Sequence, residues 1–303
     1  MNTVEIEGVT KTYGSVTAVD DLSLAVPAGS IYGFIGPNGS GKTTTLRMIM
    51  NIFYPDRGTI RVFGESVNGG CTDRIGYLPE ERGLYKKMKV RDVLRFYGAL
   101  KGGRDVNRKV DGWLEKLGLA DWGKKKVETL SKGMSQKVQF IAAVVTAPPL
   151  LILDEPFSGL DPVNAEALKD AILEMQRAGT TIIFSTHDMG VAEKMCDFIF
   201  MIYQGRKVLD GTLTAIQDEY GQDTLRLRTE NGKAAMVGIE GVDSVNDFGQ
   251  VQELRLGPAG DPQKVLAHIL ERTRVLSFEI ARPSLQDIFI RIAKPQTEEA
   301  QDA

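Results

Sequence analysis

The chain has 303 residues, a length that accommodates one large domain and one small one. Its composition, 42% hydrophobic and 25% charged, is ordinary for a soluble globular protein. A net charge of −3 provides no basic field for nucleic acid, so we expect no nucleic-acid partner. The longest apolar stretch, 140–153, is broken by two prolines and is too short to span a bilayer, so a membrane role requires a separate partner chain. Cys71 and Cys196 lack metal-ligand spacing, and we expect both to be reduced.

Alternating and apolar segments predict an α/β domain with a helical insertion in the first two-thirds of the chain. Short apolar runs without alternation, such as 150–153, are typical of buried parallel strands. The predicted strands are 4–8, 22–26, 31–35, 60–63, 75–78, 150–153, 181–185 and a hairpin of 198–203 with 207–209. The predicted helices are 43–51, 163–177 and a helical stretch of about 85–145.

The last third of the chain has a different pattern, which predicts a small α+β unit. Strands are expected at 224–228, 252–256 and 275–280. Asp261-Pro262 predicts a helix start, and Ser284 predicts the cap of a last helix over 285–292. We therefore expect a first domain over 1–213, a connector over 214–221, a second domain over 222–293 and a disordered tail over 294–303.

A glycine-rich loop between a predicted strand and a predicted helix matches the pattern GxxxxGK[ST]. The glycines allow backbone N–H groups to point at a phosphate, and the helix N-terminus adds a positive dipole end. Lys42 is expected to bridge the β- and γ-phosphates, and the Thr43 hydroxyl to bind Mg²⁺. A chance glycine-rich turn is the alternative. The predicted phosphate-binding residues are Gly36, Pro37, Asn38, Gly39, Ser40, Gly41, Lys42, Thr43 and Thr44.

Two adjacent carboxylates end the buried strand 150–153. Asp154 is placed to hold Mg²⁺ directly or through water. Glu155, one residue further, is placed to orient and deprotonate an attacking water. A strand end without catalytic function is the alternative.

The segment LSKGMSQK at 130–137, followed by LLILDEP at 150–156, indicates which class of nucleoside triphosphatase this is. With the glycine-rich loop upstream, it resembles the ATP-binding subunit of an ABC transporter, and the resemblance covers about 4–210. The resemblance implies an α/β P-loop NTPase of ABC type with a helical insertion, followed here by a small α+β C-terminal domain. It also implies ATP hydrolysis with ATP and Mg²⁺ in the site.

The resemblance implies roles for further residues. His187, after strand 181–185, would contact the γ-phosphate and the catalytic water. Ser131, Gly133 and Gln136 would bind ATP held by a second subunit, although a plain Ser-capped helix is the alternative. Asp161 would cross the dimer interface, and Tyr13 would stack on adenine, with ordinary packing as its alternative.

The chain departs from the family pattern at two places. Lys132 and Met134 replace a glycine and a glutamine of the consensus LSGGQ. Glu80, in the segment PEERG, holds the position of a glutamine that reaches Mg²⁺. We expect Glu80 to remain a metal-sensing ligand with altered affinity, or to pair with Arg82; a solvated loop charge is the alternative.

PSLQDIFI at 283–290 resembles the closing motif of the accessory domain on exporter-type ATPases linked to sodium, drug or antibiotic efflux. We therefore expect an ATPase subunit that energises export through separate membrane-spanning permease subunits. It would act as a homodimer or with a paralogous ATPase at the cytoplasmic face of the membrane. The alternatives are a soluble ABC-type ATPase acting on ribosomes or nucleic acid, and a nucleotide-gated regulatory module.

Overall fold

The computed structural model describes residues 1–67, 70–80, 83–221, 223–258 and 260–293, without the side chains of residues 70 and 71. Its contacts divide the chain into two units, Met1–Gly211 and Thr212–Ala303. Several predictions fall outside the described residues: the state of Cys71, the pairing of Glu80 with Arg82, and the disordered tail over 294–303.

The first unit combines two sheets with a set of helices. Its strands are β1 (Asn2–Tyr13), β2 (Val16–Pro27), β3 (Ile31–Ile35), β4 (Arg57–Val62), β5 (Glu65–Ser66), β6 (Ile75–Leu78), β7 (Leu150–Asp154), β8 (Thr181–Thr186), β9 (Phe198–Tyr203) and β10 (Arg206–Gly211). Its α-helices are α1 (Lys42–Ile49), α2 (Val90–Leu100), α3 (Val106–Lys116), α4 (Lys132–Val144), α5 (Pro162–Arg177) and α6 (Met189–Met195). Short 3-10 helices cover Gly70–Arg74, Ala120–Trp122 and Val127–Thr129.

The central sheet has the strand order β10-β9-β3-β8-β7-β6, and its strands from β9 to β6 run parallel. Strands β3, β7 and β8 are buried along their whole length, as the short apolar runs in their sequences predict. A second sheet, β2-β1-β4-β5, is antiparallel. Because parallel strands share one carboxyl edge, the loops after β3, β7 and β8 meet at the same side of the sheet.

Two hydrophobic cores cover the faces of the central sheet. One lies between that sheet and the antiparallel sheet, and it includes α1 through Leu46 and Ile49. The other lies between the central sheet and helices α2 to α6, with Phe140 and Phe184 fully buried in it. Helix α1 is thereby held between two sheets, which fixes the glycine-rich loop that precedes it.

The second unit is a small α+β fold, as predicted. Its elements are α7 (Leu213–Glu219), β11 (Thr224–Thr229), a 3-10 helix (Gly232–Met236), β12 (Val242–Asp247), β13 (Gln252–Leu256), α8 (Pro262–Arg272), β14 (Val275–Ala281) and α9 (Leu285–Ala293). The strands form an antiparallel sheet in the order β12-β13-β11-β14. The predicted caps are confirmed, since Asp261 accepts from the N–H of Gln263 at 2.8 Å and Ser284 from that of Asp287 at 3.1 Å.

Several predicted boundaries differ from the structure. Strands β1 and β2 have 12 residues each, far longer than predicted, because they form a long antiparallel ribbon. Strand β12 was not predicted at all. Helix α7, which lies in the predicted connector, belongs by its contacts to the second unit.

Candidate active site

The glycine-rich loop follows β3 directly and leads into α1, which begins at Lys42. Gly41 has φ +109°, and a Cβ there would lie 2.5 Å from the carbonyl oxygen of Ala18. Such a conformation and so close an approach require glycine. Glycine at position 41 therefore allows the loop to pass this close to the backbone of β2 as it enters α1.

Lys42 is buried and folds back over the loop. Its Nζ donates to the carbonyl oxygens of Gly36 at 2.7 Å and Pro37 at 3.0 Å. Burial lowers the pKa of Lys42, while the nearby carboxylates of Glu155, Asp154 and Glu80 oppose that shift. The ammonium group of Lys42 thus lies within the loop at which we expect the phosphates to bind.

Asp154 ends β7 and is 1% exposed. Its Oδ1 accepts a hydrogen bond from the hydroxyl of Ser185, which stands opposite it on β8. Among the residues that the structure describes, its Oδ2 has no hydrogen-bond partner. Because a buried carboxylate oxygen without a partner is costly, this atom fits a cation ligand.

Glu155 adopts a left-handed backbone conformation, with φ 49°. Its N–H donates to the carbonyl oxygen and the hydroxyl of Ser185, both at 3.2 Å. Its Oε1 accepts from the N–H of His187 at 3.0 Å and lies 2.7 Å from His187 Nδ1. The end of β8 therefore holds both the backbone and the carboxylate of Glu155.

A cleft of about 230 Å³ joins these groups. It is lined by Ala18, Asn38, Gly39, Gly41, Lys42, Thr43, Thr44, Glu80, Asp154 and Glu155. The sequence predicted every one of these residues except Ala18. No cluster of three or more possible His, Cys, Asp or Glu metal ligands occurs among the described residues. That is compatible with Mg²⁺, which binds through one or two carboxylates together with substrate phosphates.

The segment LSKGMSQK begins helix α4. Ser131 caps the helix, accepting from the N–H of Met134 at 3.2 Å, as predicted. Gln136, proposed as an ATP ligand, is 1% exposed, and its Nε2 donates to the carbonyl oxygen of Pro156. A Cβ at Gly133 would lie 3.0 Å from Asn164 Nδ2, so this segment packs closely on the residues after Glu155.

The two other predicted ligands lie outside the cleft lining. Asp161 caps α5, since its Oδ1 accepts from the N–H of Asn164 at 3.0 Å. This hydrogen bond, together with one from the side chain of Asn164, lowers the pKa of Asp161. Tyr13 ends β1 and is 44% exposed, with its ring edge-on to Phe53 at a centroid distance of 6.0 Å.

Sequence reasoning missed Ser185, which contacts both Asp154 and Glu155. Its position two residues before His187, at the end of a predicted strand, was the available signal. The other histidine of the chain, His268, lies at an exposed position on α8.

Comparisons with known proteins give the same result as the geometry. Residues 19–158 match the family model of the ABC transporter, and residues 211–293 match that of the "ATP-binding protein DrrA1-3-like, C-terminal domain". The uncharacterized ABC transporter ATP-binding protein YhaQ of Bacillus subtilis is 41% identical over 94% of this chain and 96% of its own. The chain belongs to the ABC transporter ATP-binding proteins. Proteins of this family are ATPases that energise transport, and the loop, Asp154 and Glu155 of this ATPase lie together in one cleft.

Two further similarities extend this assignment. The Nod factor export ATP-binding protein I of Ralstonia nicotianae is 31% identical over 95% of this chain and 93% of its own. A solved structure of the ATP-binding subunit of an ABC transporter superimposes with a TM-score of 0.69 at 31% identity. That similarity covers 72% of this chain and 93% of the solved one. Every helix among the described residues is too short or too polar to cross a membrane.

Proposed function

We propose that this ATPase drives export through separate membrane-spanning permease subunits. The supporting observation is the similarity to the Nod factor export protein, which covers 95% of this chain and therefore includes the C-terminal unit. The soluble alternatives, a ribosome-acting or nucleic-acid-acting ATPase and a regulatory module, receive no comparable support. The transported cargo would be recognised by the permease.

In this proposal the phosphates of ATP bind the loop 36–44, with Lys42 bridging the β- and γ-phosphates and Tyr13 stacking on adenine. Asp154, Thr43 and Glu80 would hold Mg²⁺, which neutralises phosphate charge when bound. The orphaned Oδ2 of Asp154 supports this assignment. Glu155 would accept a proton from the attacking water, and His187 would orient Glu155 and contact the γ-phosphate.

We propose further that two such chains, or this chain and a paralogue, enclose two ATP molecules. Each site would join one chain's loop and carboxylates to Ser131, Gly133 and Asp161 of the other. The exposure of Ser131 at the start of α4 is compatible with this. ATP binding would close the dimer and hydrolysis would reopen it.

The helical insertion offers a surface for the permease. Tyr85, Phe96 and Tyr97 form a cluster of rings with centroid distances of 5.6 to 6.3 Å, and Tyr85 and Phe96 are exposed. Leu100, on the same helix as Phe96, is 66% exposed. Exposed aromatic residues are frequent in protein interfaces. A permease bound here would hold the ATPase at the cytoplasmic face of the membrane.

The test is co-purification from detergent-solubilised membranes of the native cell, with ATP and the tagged Glu155→Gln chain. We expect a polytopic membrane protein to be recovered. Recovery of soluble partners alone, such as ribosomes, would contradict the proposal. Adding Leu100→Ser should reduce recovery of the permease, whereas Leu270→Ser, at another exposed position in the second unit, should not. Uptake of the cargo by inside-out vesicles on addition of ATP would distinguish export from import.

A further inference from the structure

The carboxylate of Asp56, just before β4, binds the end of β1. Its Oδ2 accepts from both the N–H and the hydroxyl of Thr12, each at 2.7 Å. Its Oδ1 accepts from Lys11 Nζ at 2.8 Å, and its own N–H donates to the carbonyl oxygen of Thr10 at 2.8 Å. The three residues before Tyr13 are thus all bonded to Asp56.

The ring of Tyr13 is contacted by Phe53, in the segment before β4, and by Lys11, near the end of β1. Phe53, three residues before Asp56, meets the ring edge-on. Lys11 Nζ, which Asp56 binds, lies 5.6 Å from the centroid of the Tyr13 ring. Asp56 therefore fixes both the backbone that carries Tyr13 and the cation beside its ring.

The carboxyl group of Asp56 is ionised at neutral pH. Hydrogen bonds from Lys11 and then Thr12 lower the pKa of Asp56 to about 2. The chain turns immediately beyond Tyr13, at Gly14 with φ +60°, before β2 begins. Without Asp56, the exposed tip of this ribbon would lose its side-chain anchor, and Tyr13 would be oriented by the strand pairing and the edge contact with Phe53.

We propose that Asp56 is a positioning residue that orients Tyr13 toward adenine and so sets the affinity for the base, not for the phosphates. This inference rests on the proposed stacking of Tyr13 on adenine. A ring held in its binding orientation loses less conformational freedom when the base binds, so the affinity rises. Asp56 lies outside the residues that line the phosphate cleft, so a direct phosphate contact is not part of the proposal.

The experiment compares ATP with inorganic tripolyphosphate, which has the phosphates but no base. Dissociation constants of the full chain are measured by titration calorimetry in buffer with Mg²⁺. Tyr13→Ala should weaken ATP binding about 5- to 150-fold, the range measured for base stacking. Asp56→Ala should weaken it about 2- to 12-fold, the range for ordering one side chain. Both variants should bind tripolyphosphate as the wild type does.

Asp56→Asn distinguishes the hydrogen bonds from Thr12 from the ion pair with Lys11. Asparagine keeps one carbonyl oxygen for the N–H and hydroxyl of Thr12, but it loses the charge that binds Lys11. We expect it to retain most of the affinity for ATP, because both bonds from Thr12 go to a single oxygen. The matched controls are Tyr54→Ala, an exposed tyrosine beside this site, and Asp111→Ala, which breaks a surface pair with Arg91 at 2.7 Å. Neither should change ATP binding.

A double-mutant cycle decides whether Asp56 acts through Tyr13. In the Tyr13→Ala background, Asp56→Ala should cause no further loss of ATP affinity. Full additivity, or an equal loss of tripolyphosphate affinity, would overturn the proposal. If Tyr13→Ala itself leaves ATP binding unchanged, the stacking role of Tyr13 fails. If Tyr13→Ala weakens ATP binding but Asp56→Ala does not, only the positioning role fails.

Discussion

Nδ1 of His187 lies 2.7 Å from Oε1 of Glu155, and the N–H of His187 donates to the same oxygen at 3.0 Å. One residue thus holds the carboxylate by both its ring and its backbone. The ring of His187 is 57% exposed, whereas the Glu155 side chain is 9% exposed. The histidine therefore connects a buried carboxylate to solvent.

Replacing Glu155 tests its role as the base. Glu155→Gln keeps the size and the oxygen that accepts from His187, but a neutral amide is a poor proton acceptor. We expect ATP binding to persist while steady-state hydrolysis falls about 10²- to 10⁴-fold. The control is Glu166→Gln, an exposed carboxylate on α5 that pairs with Lys169 at 2.9 Å. Hydrolysis at the wild-type rate by Glu155→Gln would exclude it as the base.

Removing the ring of His187 should have a smaller effect on the rate. His187→Ala loses one bond to the carboxylate but keeps the backbone N–H that also holds it. We expect hydrolysis to fall about 10- to 100-fold, the value of one hydrogen bond to a charged group. His268→Ala removes the only other histidine, which is exposed on α8, and should leave the rate unchanged. A loss as large as that of Glu155→Gln would mean that His187 itself carries the proton transfer.

Two glycines of the phosphate-binding loop should respond differently to alanine. Gly39 has φ +78° with open space around its Cβ position, whereas at Gly41 a Cβ would also approach the carbonyl oxygen of Ala18. The only penalty of Gly39→Ala should be the free energy of holding an alanine in this left-handed backbone conformation, about 1–2 kcal/mol. Gly41→Ala adds a steric conflict with backbone and should weaken ATP binding at least tenfold more than Gly39→Ala. Equal affinities of the two variants, measured by calorimetry, would contradict the loop geometry.

The carboxylate of Glu80 should affect the metal dependence of hydrolysis. Glu80 lines the same cleft as Asp154 and acts on Lys42 through its charge. Because Glu80→Gln would remove the charge of a proposed oxygen ligand, we expect the Mg²⁺ concentration for half-maximal hydrolysis to rise roughly 3- to 10-fold. Glu65→Gln, at an exposed position of β5, is the control. An unchanged Mg²⁺ titration for Glu80→Gln would leave Glu80 as a solvated loop charge.

Asp223 should stabilise the second unit in a pH-dependent manner. Burial raises its pKa, but the hydrogen bonds from Arg291, at 2.9 and 3.1 Å, together with the charge of Arg291 and the bonds from Thr224 and Arg255, leave the pKa below its usual value. Because the pKa of Asp223 is lower in the folded state than in the unfolded state, its carboxylate stabilises this unit above about pH 4. That stabilisation is lost as the pH falls through the pKa of the folded state.

We therefore expect Asp223→Ala to lower the free energy of opening this unit by about 1–3 kcal/mol at pH 7. Hydrogen–deuterium exchange of β11 in the full chain measures this change. The difference from wild type should shrink as the pH is lowered below 4. Asp218→Ala, which breaks an exposed pair with Arg282, should have little effect at either pH. A difference that persists unchanged at low pH would contradict the assignment.

The sequence predicted the parts of the fold that repeat a simple pattern. Strands β3, β7 and β8 each contain a short apolar run without alternation, and the glycine-rich loop has a fixed spacing. Strand β12 was missed because its residues are exposed or half-buried and it is held by pairing with β13. A strand that forms mainly by pairing with a neighbouring strand has little hydrophobic pattern in its own sequence.

The contacts of site residues were harder to predict than their positions. Ser185 stands opposite Asp154 only because β7 and β8 are paired in parallel with that register. Gln136 was predicted as a ligand from its place in the segment 130–137, and the structure directs its amide to the carbonyl of Pro156. Both contacts depend on how distant segments pack, which sequence spacing does not specify.

The bond from Gln136 to Pro156 has a consequence for cooperativity. It joins the first turns of α4, where Ser131 would meet the partner's nucleotide, to the carbonyl group of the residue that follows Glu155 in the same chain. In the proposed dimer, a nucleotide sensed at one site would thereby shift the catalytic carboxylate of the other. Cutting this bond, as in Gln136→Met, should leave each site able to bind ATP but reduce the Hill coefficient of hydrolysis toward one. The control is Gln139→Met, about one turn further along α4 at a position that is 9% exposed, and this variant should preserve the Hill coefficient.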